Sequence, residues 1–144
     1  MAGVDSTESR RPVNLRVYGV LLRAGRVLIC EERVGGREVL KFPGGAVEAD
    51  ETPEAALKRE FVEECALVVE PMHLLHAPGT LHSPWILRPY TPLFFAVSGD
   101  GEATVPGHEP LIARFMDPEV AIASARMAVP DMVALRRALE NSDH

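Results

Sequence analysis

Glu60, Glu63 and Glu64 stand at i, i+3 and i+4 in a run without glycine or proline, a spacing that places all three carboxylates on one helical face. Like charges this close repel, and each raises the pKa of its neighbours. Such a face is affordable where water solvates it or where a cation sits among the carboxylates. Oxygen-only ligands suit a hard cation, magnesium or manganese, rather than zinc. No cysteine–histidine spacing resembles a zinc site. Taken alone, a glutamate-rich helix reads as a solvated acidic surface, but the loop before it argues for something else.

Gly44-Gly45 lies just upstream, with Glu51 six residues past Gly45 and Arg59-Glu60 eight residues further on. From Gly45 to Leu67 the chain reads G-AVEAD-E-TPEAALK-REFVEECAL. This span resembles the Nudix box: glycine, five residues, glutamate, seven residues, then Arg-Glu-apolar-any-Glu-Glu-any-Gly-apolar. The fixed identities Gly45, Glu51, Arg59, Glu60, Glu63 and Glu64 all match, and Phe61 and Leu67 fill the apolar slots. At roughly one in fifteen per position, six identities arise by chance about once in ten million windows. Ala66 departs from the pattern, standing where the family usually has glycine at the helix exit. A positive φ there would cost alanine on the order of 1 kcal/mol.

The resemblance implies roles residue by residue. Glu60, Glu63 and Glu64 hold one or more Mg²⁺ ions, with Mn²⁺ as a substitute and the Gly45 carbonyl as a further ligand. The metal bridges phosphate oxygens and acidifies an attacking water. Glu51 and Arg59 are the structural pair that holds loop and helix in register; the plainer alternative for Arg59 is an exposed bond to Glu63 one turn on. Phe61 and Val62 face away from the glutamates as core residues. The family often supplies another carboxylate from a loop after the central strands, for which Glu109 is the candidate and Glu102 the alternative. Glu64, Glu60 and Glu109 all stand as candidates for the general base. Trp85 and Tyr90 offer rings to stack on a nucleobase, and Arg88 a cation for a phosphate. His76, His82 and His108 read as ordinary loop or strand histidines.

These side chains need elements to position them. Val13–Leu22 and Arg26–Glu31 are apolar and β-branched, and Arg23-Ala24-Gly25 suits a hairpin between them. Gly35-Gly36 precedes a short strand at Val39–Phe42, and Pro43-Gly44-Gly45 opens a loop. Thr52 as N-cap, Pro53 in the first turn and Glu54 at the positive end of the dipole begin a helix that runs to Cys65. Leu67–Val69 returns to strand, with Met72–His76 as its continuation. Ala77–Pro92 is a long loop or irregular hairpin, Leu93–Val97 a core strand, Ser98–Pro110 a loop and Leu111–Met116 another strand. Phe115 is followed by a short acidic turn, Asp117-Pro118-Glu119, and Asp131–Leu139 closes the chain as a helix. The implied fold is α/β, a Nudix-type α/β/α sandwich with a mixed β-sheet and two main helices. Residues 1–12 read as a flexible N-terminal arm and 13–144 as the Nudix hydrolase domain.

Composition narrows the function further. With 144 residues, 47% of them hydrophobic, the chain can bury a core without disulfides. Its net charge of −6 argues against a protein that tracks nucleic-acid phosphates. Cys30 and Cys65 read as buried free thiols of a reducing cytosol. The polar start lacks a signal-peptide core and no apolar run could cross a bilayer, so a cytoplasmic protein without membrane contact is expected. A homodimer is left open. The expected function is metal-dependent hydrolysis of a phosphoanhydride in a nucleoside diphosphate linked to another moiety, either an ADP-ribose-like sugar nucleotide or a noncanonical nucleoside triphosphate. A non-catalytic Nudix-fold nucleotide sensor is the alternative. A ligand-free acidic interaction domain comes third, because an acidic face has no need of Gly45 and Arg59.

Overall fold

The computed structural model describes residues 13–82, 88–105, 107 and 111–142. Strand β1 (Leu15–Arg23) turns through Ala24 and Gly25, both at positive φ, into β2 (Arg26–Val34). Two consecutive left-handed residues match the twist of a tight hairpin. Then follow β3 (Arg37–Lys41), β4 (Gly44–Ala46), helix α1 (Pro53–Cys65), β5 (Glu70–His76), β6 (Thr91–Ser98), β7 (Leu111–Met116), α2 (Pro118–Ala123) and α3 (Val129–Ser142). The strands form a seven-stranded mixed sheet with the path β3-β2-β1-β6-β5, while β4 adds to β1 and β7 to β2. Strand β1 runs parallel to β6 and antiparallel to β4.

Alternation along β1 sorts side chains to two faces. Val17 and Leu21 join Leu28, Cys30, Phe95 and Val97 beneath α1, which contributes Ala56, Leu57, Phe61 and Cys65. Tyr18 and Val20 join Ile29, Leu40, Phe42 and Phe94 on the other face, covered by Ala121 of α2 and by Ala134, Leu135 and Ala138 of α3. Both faces are buried, which is why the central strands read as nearly continuous apolar runs. The result is a mixed α/β sandwich. Cys30 and Cys65 are free, buried and hydrogen-bonded to each other, a contact that with burial pushes the Cys30 thiol up.

Several local expectations differ from the structure. Pro43-Gly44-Gly45 leads not into a plain loop but into the short strand β4, whose Gly45 pairs with Val17. Leu67–Val69 is irregular, and the strand begins at Glu70. Leu67 and Val69 are nevertheless buried, so their apolar character reports packing rather than strand. The acidic turn after β7 is the start of α2: the Asp117 side chain accepts the Glu119 N–H at 2.8 Å and Pro118 occupies the first turn. Val62 is 49% exposed and lies outside the core that Phe61 enters. Residues 1–12 lie outside the described residues. Among the described residues no helix is long and apolar enough to cross a membrane.

Candidate functional site

Helix α1 starts where the sequence indicates, with the Thr52 hydroxyl accepting the Ala55 N–H at 3.1 Å. It ends at Ala66, whose φ of 52° is left-handed and whose N–H turns back to the Phe61 and Val62 carbonyls. Alanine thus occupies the strained conformation that the family's glycine would relieve. The buried stripe Ala56, Leu57, Phe61 and Cys65 fixes the rotation of the helix. It turns Glu60 inward, leaves Glu64 half-buried, and leaves Glu63 exposed at the flank.

Strand β4 carries the backbone against these carboxylates. A Cβ added to Gly45 would lie 2.5 Å from Glu60 Oε2, so glycine leaves the room in which the carboxylate rests on the strand. The neighbouring Gly44 N–H donates to Glu64 Oε1 at 3.1 Å, and a Cβ at Gly44 would sit 2.0 Å from the Val17 carbonyl oxygen. Both glycines are therefore required by close approach. Burial pushes the Glu60 carboxyl up, Arg59 pulls it down, and the nearby Glu63 raises it again.

Arg59 ties loop to helix. Its Nε donates to Glu51 Oε2 at 2.7 Å and its Nη2 to Glu51 Oε1 at 2.9 Å, a bidentate fork. Nη2 also reaches the Ala46 carbonyl at 3.0 Å, while Nη1 reaches Glu63 at 2.7 Å and Glu60 at 3.2 Å. Arg59 thus bonds both to the loop and to the next turn of the helix. The Arg59 guanidinium, helped by the Glu48 N–H, holds the Glu51 carboxyl down at about 2.

Among the described residues no three acidic, histidine or cysteine side chains already form a metal cage. Arg59 Nη1 takes up one oxygen of Glu60 and reaches both of Glu63. The donor set nevertheless fits a hard cation: carboxylate oxygens on successive turns, with that of Glu60 lying close over the Gly45 backbone.

Next to the carboxylates, on the α3 side of β1, lies a cavity of about 300 Å³. Arg16 and Lys41 stand between the two. Burial opposes the charge on Arg16, but Tyr18, Glu60 and Glu64 favour it and prevail. Arg16 Nε donates to the Tyr18 hydroxyl at 2.7 Å, and Lys41 Nζ pairs with Glu32 at 2.6 Å. Tyr90 and Asp131 line the same cavity and are almost fully buried.

The structure therefore brings Glu60, Glu63, Glu64, Gly45, Glu51 and Arg59 together and sets Tyr90 in the adjoining cavity. Arg88 and Glu102 are exposed. Trp85, His108 and Glu109 lie outside the described residues. Sequence reasoning missed Arg16, Lys41 and Asp131. The first two had a signal, charges inside apolar strands. Asp131 had none, since an acid in a helix's first turn is ordinary.

Comparison with known proteins identifies the family and the fold. Phosphatase NudJ from Escherichia coli strain K12 is 33% identical over 79 residues, which is 55% of this chain and 48% of that protein. The chain thus spans about half the length of the curated relatives it matches. A NUDIX hydrolase from Nitrosomonas europaea superposes with a TM-score of 0.74 at 20% identity, covering 90% of each chain. An ADP-ribose pyrophosphatase from Streptococcus suis superposes with a TM-score of 0.64 at 17% identity, covering 90% of this chain and 93% of that one. At these identities the two structures speak for the fold alone. Residues 11–138 match the NUDIX domain family, and the chain belongs to it.

Proposed function

We propose that this protein is a divalent-metal-dependent pyrophosphohydrolase that cleaves a phosphoanhydride bond in a nucleoside diphosphate linked to another moiety. The observation that carries this reading is the Glu60 carboxylate resting on Gly45, with Glu64 one turn on bonded to the Gly44 N–H. Two carboxylates held against a stretch of backbone that only glycine permits are more than a solvated acidic face.

Glu60 and Glu64, with the Gly45 carbonyl and with Glu63 from the flank, would hold Mg²⁺ or Mn²⁺. When bound, such an ion neutralises phosphate charge and lowers the pKa of a water. Arg59 and Glu51 keep the β4 loop and α1 in register. Arg16 and Lys41 offer positive charge to phosphate oxygens at the cavity side of the cluster. Glu64 and Glu60, the inward carboxylates, are the candidates for the base that takes a proton from water, with Glu109 a third by sequence. The names of the relatives, a phosphatase and an ADP-ribose pyrophosphatase, support the phosphate chemistry. Sugar nucleotides of the ADP-ribose kind and noncanonical nucleoside triphosphates are the substrate classes to try first.

The test is a nucleotide panel containing ADP-ribose, dinucleoside polyphosphates, NADH and oxidised deoxynucleoside triphosphates, incubated with Mg²⁺ and separated by chromatography. At least one member is expected to yield a nucleoside monophosphate, and a chelator to stop its release. If nucleotides bind by calorimetry but stay intact for hours, the protein is a sensor rather than an enzyme.

A further inference from the structure

The two cations beside the carboxylates are held on different terms. Lys41 Nζ lies 2.6 Å from Glu32 Oε1, so a carboxylate already matches its charge. Arg16 Nε donates at 2.7 Å to the Tyr18 hydroxyl, a neutral partner. Among the described residues Arg16 forms no ion pair, and its two Nη groups bond nothing. Burial opposes the charge on Arg16, while Tyr18 and the more distant Glu60 and Glu64 favour it. The guanidinium thus keeps its charge and most of its donors for water or for an arriving anion.

Backbone pairing fixes where that guanidinium starts. Antiparallel β1 and β4 set Arg16 opposite Ala46, Val17 opposite Gly45 and Tyr18 opposite Gly44. Arg16 and Tyr18 are two residues apart on one strand and so share a face. They lie beside the backbone over which the Glu60 carboxylate rests. The Tyr18 ring is firmly held. It is 7% exposed and stacks on the buried Phe94 with centroids 5.6 Å apart, and Phe42 meets Phe94 edge-on at 6.3 Å. A Cβ at Gly44 would lie 2.8 Å from Tyr18 Cδ1, so glycine there also makes room for this ring. A hydroxyl on so fixed a ring pins one corner of the guanidinium. Being neutral, it leaves the charge uncancelled, whereas a carboxylate in its place would compete with a phosphate for the same donors.

We infer that Tyr18 is a positioning residue: its hydroxyl, by accepting from Nε, aims the two Nη groups of Arg16 at a phosphate of the substrate. This rests on the pyrophosphohydrolase reading given above and adds to it the residue that sets the arginine fork. An unheld arginine carries rotamer freedom that binding must remove, and one held at Nε has lost that freedom on folding. Two parallel N–H donors then meet a phosphate in fixed geometry. Tyr18 touches no reacting atom, and its effect on affinity passes through Arg16 alone.

The experiment is calorimetric titration of the full chain, with Mg²⁺ present, by imidodiphosphate, a pyrophosphate analogue whose bridging nitrogen resists hydrolysis. The parent, Tyr18→Phe, Arg16→Lys and the double variant form a cycle. Arg16→Lys is expected to weaken binding about tenfold, the loss of a bidentate charge-assisted contact. Tyr18→Phe should weaken it about threefold in the parent and leave it unchanged in the lysine background, which has no Nε to hold. A tyrosine that matters only for structure would weaken both backgrounds alike, and that result would overturn the inference. So would a folded Tyr18→Phe that binds as tightly as the parent, or a parent that does not bind the probe. If Tyr18→Phe does not fold, the Arg16 ¹⁵Nε–¹Hε resonance of the parent decides. Slow exchange of this proton and a shift on adding imidodiphosphate support the inference, while fast exchange or an unmoved signal overturns it. The expected cycle without hydrolysis of the nucleotide panel would sink the enzyme and keep the positioning role. Metal-dependent hydrolysis that Tyr18→Phe leaves unchanged would do the reverse.

Discussion

The molecule holds two polar clusters side by side, and they are built on opposite terms. Around Arg59 the charges are satisfied: five partners within two turns and one loop surround a partly exposed guanidinium. Around Asp131 the cations are paired, Arg16 with Tyr18 and Lys41 with Glu32, while the buried Asp131 carboxyl has no side-chain hydrogen bond among the described residues. The first arrangement stabilises geometry. The second costs stability, and proteins tolerate such costs where a ligand is meant to recover them.

The widest separation between the clusters should appear on removing a carboxylate of the first. Glu64→Gln keeps the bond from Gly44 N–H but removes the charge, and kcat is expected to fall on the order of a thousandfold with little loss of stability. A folded variant retaining a tenth of the activity would show that Glu64 is not needed for chemistry.

Next in size is the stability effect at Asp131. Its folded pKa of about 7 lies above the unfolded value, so the folded state binds more protons in between. Stability should therefore decline as pH rises from about 4 to about 7, and the cost should be complete above that window. A shift of about three units bounds the cost at about 4 kcal/mol. Asp131→Asn should flatten the profile and, at pH 8, unfold in denaturant about 2 kcal/mol later than the parent. A parent profile that is flat or rising across the window would contradict the burial argument.

Arg59→Lys keeps the charge and loses the fork to Glu51. It should cost about 1 kcal/mol of stability, because the pair is partly exposed, and lower kcat severalfold through a looser β4 loop. Equal activity in the lysine variant would make the pair purely electrostatic. The smallest change is Ala66→Gly, which relieves the left-handed strain at the end of α1 and should raise stability by up to about 1 kcal/mol. A lower melting temperature would mean that unfolded-state entropy outweighs the strain.

The same contrast explains what could be read from sequence. The Arg59 cluster is local: its residues fall within one helix and the loop before it, so spacing alone brings them together. The capping of α1 by Thr52 and Pro53 was legible for the same reason. The cavity is assembled from β1, β2, β3, Tyr90 and α3, and no short-range pattern announces it. Val62 reads as core because it points away from the glutamates, yet facing away from them is not the same as facing the sheet: the buried stripe runs through Ala56, Leu57, Phe61 and Cys65 and leaves Val62 exposed. Leu67 and Val69 alternate like a strand but are placed by packing beneath the sheet. The short helix α2 was hidden because Asp117-Pro118-Glu119 serves equally as a turn and as a helix start.

The inward glutamates of α1 are gathered for a hard cation, and everything proposed for the site depends on it. Titration of Mn²⁺ followed by electron paramagnetic resonance, with and without added nucleotide, measures this directly. The parent protein is predicted to bind Mn²⁺, more tightly with nucleotide present, and Glu60→Gln combined with Glu64→Gln to lose that binding. No appreciable Mn²⁺ binding by the folded parent under either condition would contradict it.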